Sequence, residues 1–152
     1  MFQLLGAAYL AMFSIPLIVI DIRERRLPNK ITLPGIAVTL LGLGLAGDWL
    51  RFGIAVGLAS LVFLVGTLVS MRGWLGMGDV KLLVSIALML GWYGPLNLLL
   101  GLSGAFLVAG AVVLVKMALK KITASSTIAL GPYLLVGFWV AVTQPVWSSI
   151  AH

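Results

Sequence analysis

Few side chains in this chain can do chemistry. Its 152 residues include four acids (Asp21, Glu24, Asp48 and Asp79), ten basic residues and one histidine, His152, the last residue. There is no cysteine, which excludes disulfides and cysteine-ligated zinc. A lone histidine argues against a histidine-built metal site and against a serine–histidine nucleophile. No metal and no cofactor is expected. What remains is carboxylate chemistry. Two carboxyls brought close cannot both ionise easily, so the pair can share a proton and hold a water between its members. The ionised member takes a proton from that water as it attacks a peptide carbonyl. The protonated member supports the carbonyl oxygen.

Asp79 sits in WLGMGDVKLL, residues 74–83, directly behind Gly76 and Gly78. One reading makes it the cap of a helix, where an anion suits the positive end of the dipole. The other makes it a reactive carboxyl. Asp21 stands at the C-terminal end of an apolar run, where an anion opposes the dipole. Arg23, Arg25 and Arg26 can offset that charge as surface ion pairs. An ionisable group at the edge of hydrocarbon is equally a functional candidate. Asp48 lies beside Arg51 and reads as an interfacial charge.

The elements that must position these acids are apolar helices. Hydrophobic residues make up 62% of the chain and charged residues 9%, against about 25% charged in soluble domains. No water-soluble fold of this size hides so much apolar side chain. The fold class is therefore all-α: a polytopic integral membrane protein, one membrane-embedded domain over residues 1–152. Six candidate spans are visible, at 3–20, 31–45, 52–71, 80–92, 96–115 and 126–146. The N-terminal run lacks a basic flank and is too long for a cleavable signal. Pro28 disfavours helix at Leu27, which ends the first helix near Arg26. Thr32 can cap the second, with Pro34 in its first turn. Small residues such as Gly101 and Ser103 suit helix contacts. No internal repeat is visible.

Six spans put alternate loops on one side. Nine of the ten basic residues fall in one set of loops, and Arg51 alone in the other. The positive-inside rule makes the basic loops cytoplasmic and both termini extracytoplasmic. The same clustering between apolar runs accounts for the net charge of +6, so no nucleic-acid partner is expected. Trp49, Trp74, Trp92 and Trp147 fall at span ends, as interfacial aromatics do; Trp139 does not. Asp21 ends the first span and Asp79 starts the fourth, so topology brings both to the cytoplasmic face. The fourth span is short, roughly 24 Å at about 1.5 Å per residue against a core of about 30 Å. Either the bilayer thins there, or the GMGD segment dips below the surface as non-helical backbone in a wet cavity.

DIRERRLPNKITLPG (21–35) followed by GMGDVKLL (76–83) resembles the type IV prepilin peptidases, membrane aspartic proteases with a G-x-G-D motif. ALGPYLLVG (129–137) is similar to a Gly-Pro-aromatic segment late in the same catalytic domain. The resemblance implies that Asp21 and Asp79 are the catalytic pair, with Pro28, Asn29, Gly76, Gly78, Lys81, Gly131 and Pro132 as motif support. It implies cleavage at the cytoplasmic face of the inner membrane, after a leader glycine. The cut separates a short basic leader from the hydrophobic helix of a prepilin or pseudopilin precursor. Lys81 either orients Asp79 or snorkels to the interface. Gly131–Pro132 is expected to break or kink the sixth helix. Glu24, the spare acid on that face, is a candidate contact for the leader; the plainer reading is a charge balancing its arginine neighbours. The chain looks like the short form found with Tad/Flp pili and in archaeal relatives, without the region for N-methylation, so methyltransferase activity is not expected.

Two other classes stay open. A small transporter or channel could line a polar path with carboxylates, although these acids lie near span ends and not at the midplane. A presenilin-like protease, which also carries G-x-G-D, would cut inside the membrane. Beyond the precursor and the lipid bilayer, neither partners nor the oligomeric state can be read from the residues.

Overall fold

A computed structural model describes residues 5–24, 29–73, 75–119 and 131–150, with side chains described as far as 143. It has six helices: α1 (Leu5–Glu24), α2 (Asn29–Leu45), α3 (Trp49–Met71), α4 (Met77–Tyr93), α5 (Pro95–Ala118) and α6 (Gly131–Ile150). Each overlaps one of the apolar runs, and no strand occurs among the described residues. By length and composition, α1, α3 and α5 can cross a membrane. Large apolar residues point outward from all three: Met12 and Ile15, Leu61 and Leu64, Leu107 and Leu114. That exterior fits a chain solvated by lipid, where apolar surface carries no penalty.

α4 is the centre of the bundle. It packs against each of the other five helices, and it is buried almost continuously from Val80 to Trp92. A helix apolar all round belongs in such a core. Its 17 residues span roughly 26 Å at about 1.5 Å each. Protein, not lipid, surrounds it, so its length need not match the hydrocarbon. Small residues let α3 lie close along it: an ideal Cβ on Gly91 would sit 3.1 Å from the Ala55 Cα. α5 and α6 cross just as tightly. A Cβ on Gly137 would meet the Ala105 Cβ at 2.5 Å and the Gly101 carbonyl at 2.6 Å.

Polar side chains tie the helices together. Tyr9 on α1 donates to the Ile31 carbonyl at 2.9 Å. Trp139 on α6 donates its indole N–H to Ser14 Oγ on α1 at 3.4 Å. Trp139 is thus a helix-to-helix contact, which explains why it sits away from any span end. Trp92 differs from expectation, being buried in the core instead of at an interface. Trp49 is exposed and meets Phe52 edge-on. Trp74 and the Trp147 side chain lie outside the described residues. Ser103 is exposed, whereas Gly101 meets Leu90 and Ala141 closely.

Two start signals resolve differently from the sequence reading. α2 begins at Asn29, so Thr32 is a buried residue inside it and not its cap, and Pro34 lies within the helix. Among the described residues, α3 has a side-chain N-cap, Asp48. Asp48 accepts the Arg51 backbone N–H at 3.1 Å and pairs with the Arg51 guanidinium at 3.1 Å, both side chains exposed.

Candidate active site

Asp79 is the third residue of α4, and Gly76 is the N-cap. Of the GMGD segment only Gly76 is extended (φ −71°, ψ 142°); Met77 to Asp79 are already helical. Asp79 is therefore not the cap itself. Its carboxyl reaches back to the Gly76 backbone N–H, the half of a capping box that an acid at this position supplies. A Cβ on Gly76 would come within 3.1 Å of Oδ2. The other oxygen, Oδ1, is buried and has no hydrogen-bond partner among the described residues. A buried carboxyl oxygen without a donor is uncommon, and here it leaves an acceptor free.

Asp21 lies in the last described turn of α1 and is 3% exposed. Its Oδ2 accepts the Gly131 backbone N–H at 2.9 Å. The Asp21 and Asp79 carboxyls are near enough to interact electrostatically. The last described turn of α1, the first turn of α4 and the first described turn of α6 thus come together.

The remaining candidates divide. Lys81 donates Nζ to Asn29 Oδ1 at 2.8 Å. It ties the start of α4 to the start of α2, a role the sequence reading did not consider. Gly78 is the second residue of α4. Glu24 is exposed at the end of α1. Pro28 lies outside the described residues. Gly131 and Pro132 lie in the first described turn of α6, and the residues before them lie outside the described residues. The Gly131 contact with Asp21 was not part of the sequence reading. Among the described residues no three His, Cys, Asp or Glu converge on a metal-sized site.

An apolar groove of about 470 Å³ runs between α3, α4 and α5. Leu75 and Leu83 line it, four positions before and after Asp79.

A family model described as the type IV leader peptidase family matches residues 8–115. That span holds both aspartates but not Gly131. Similar proteins include the prepilin leader peptidase/N-methyltransferases of Aeromonas hydrophila and of Pectobacterium carotovorum subsp. carotovorum. The first is 34% identical over 146 residues, covering 90% of this chain and 48% of that protein. The second is 35% identical over 141 residues, covering 87% and 48%. The protein of the same name from Pseudomonas aeruginosa is 32% identical over 129 residues, covering 80% and 43%. The chain thus spans about half the length of the curated relatives it matches. No solved structure matches it.

Proposed function

The chain belongs to the type IV leader peptidase family, and from that premise we propose that it is a membrane aspartic endopeptidase removing the short basic leader of prepilin-like precursors. The observation that carries the reading is the convergence of Asp21 and Asp79 from two helices, one oxygen of Asp79 buried and without a partner among the described residues. A water between the carboxyls gives up a proton to the ionised member as its oxygen bonds to the scissile carbonyl carbon. The protonated member hydrogen-bonds the carbonyl oxygen and stabilises the charge forming there. Collapse of the tetrahedral intermediate breaks the C–N bond, and the leaving amine takes a proton from the pair. The apolar groove that Leu75 and Leu83 line suits a precursor whose apolar helix follows the cut bond, because a helix brings its own backbone hydrogen bonds into an apolar site.

In this reading the protein crosses the inner membrane six times, with both termini outside and the dyad at the cytoplasmic face. The weighting of basic residues toward one set of loops supports it. Co-expression with a candidate prepilin, followed by gel mobility, tests the function. Asp21→Asn and Asp79→Asn should each lower cleavage at least about 100-fold while the protein still accumulates in the membrane. Wild-type cleavage in either variant would remove the dyad. Sequencing the cut bond separates leader removal from a presenilin-like cut within the apolar segment.

A further inference from the structure

We propose that Gly131, the first described residue of α6, is a positioning residue of the dyad and acts through Asp21. The proposal rests on the dyad reading above. Asp21 lies at the C-terminal end of α1, where the helix dipole opposes its charge. It is also buried, and a buried carboxylate without a donor is strongly disfavoured. The donor comes from another helix. Gly131 gives its N–H to Oδ2 at 2.9 Å. Pro132 has no N–H of its own, so the neighbouring residue cannot take over this contact. The backbone of α6 thus compensates what the α1 dipole opposes.

Space gives a second, independent requirement. A Cβ at position 131 would lie 2.6 Å from Asp21 Oδ2 and 3.2 Å from its Cγ. Asp21 is short and enclosed. It can make room only by turning its carboxyl, which changes its bearing on Asp79. Glycine meets both demands, an N–H in place and nothing behind it. The outcome is an asymmetric pair. Asp21 is held through Oδ2, while Asp79 Oδ1 has no hydrogen-bond partner among the described residues. Both acids lie in the stretch matched by the family model, yet the group that holds one of them lies beyond it.

Two full-length variants separate the two demands. Gly131→Ala keeps the N–H and adds a methyl group. An ester in place of the peptide bond before Gly131 removes the N–H and keeps the space. Each is purified and assayed on a prepilin with an intact leader. The carboxylate stretch of 13C-labelled Asp21 is followed by infrared difference against Asp21→Asn. Both variants should lower kcat about tenfold or more, with KM within about twofold, as small misplacements of reacting groups do. The ester should also shift the Asp21 band. Unchanged kcat in the ester, with an unshifted band, overturns the proposal. So does an effect of Gly131→Ala confined to KM or to yield. If the unmodified chain cleaves no precursor, the functional reading fails, and the infrared band alone then decides whether the Gly131 N–H holds Asp21.

Discussion

Asp21 and Asp79 are each met by the backbone of a glycine, but the two contacts differ in tightness. A Cβ would lie 2.6 Å from the Asp21 oxygen at position 131 and 3.1 Å from the Asp79 oxygen at position 76. The first distance forces a shift and the second asks for a few tenths of an ångström. Gly76→Ala is therefore expected to lower kcat by less than Gly131→Ala, measured per folded enzyme on one precursor. A larger loss in Gly76→Ala would show that the Asp79 contact is the less forgiving one. The candidate acids were legible because a carboxyl in an apolar run is conspicuous. Their partners were not. Backbone N–H groups carry no residue signature, and the Lys81–Asn29 hydrogen bond joins residues far apart in the chain. Glu24 is exposed, as a leader contact requires and as a solvated charge would also be. Glu24→Gln with an unchanged KM for a basic-leader precursor would leave only the second role.

Among the elements, α5 and α6 approach through glycine and alanine. Gly137 faces the Gly101 carbonyl and Ala105 with no room for a side chain. Gly137→Val should destabilise the solubilised protein by about 1–3 kcal/mol, the usual penalty of overpacking, and lower its thermal midpoint. Ser103→Val, at an exposed position of α5, should stay within about 0.5 kcal/mol of wild type. Equal effects would mean that the crossing is not close-packed. Helix positions followed from apolar runs and breakers. The start of α2 did so less well, because Thr32 carries a signal that more than one boundary satisfies. The choice falls to tertiary contacts: Thr32 is buried inside α2.

For the whole molecule, the absence of native cysteine makes the proposed orientation directly testable. Leu50→Cys and Arg72→Cys lie at exposed positions at opposite ends of α3. In intact cells whose outer membrane has been opened, an impermeant maleimide should label Leu50→Cys and spare Arg72→Cys until the inner membrane is breached. The reverse pattern would invert the topology and move the dyad to the other face.

Composition alone determined that the chain is helical and membrane-embedded, since lipid is the only solvent for so much apolar surface and backbone groups there must bond internally. The charge pattern made a same-side pair of Asp21 and Asp79 the expectation, and the motifs carried the family. Only the tertiary structure decided how the acids are held. It made α4 a central, protein-wrapped helix whose short length needs no thinned bilayer. It brought Gly131 of α6 against Asp21. Those outcomes depend on which helix faces meet, and a sequence with nearly uniform apolar faces does not encode that in its periodicity.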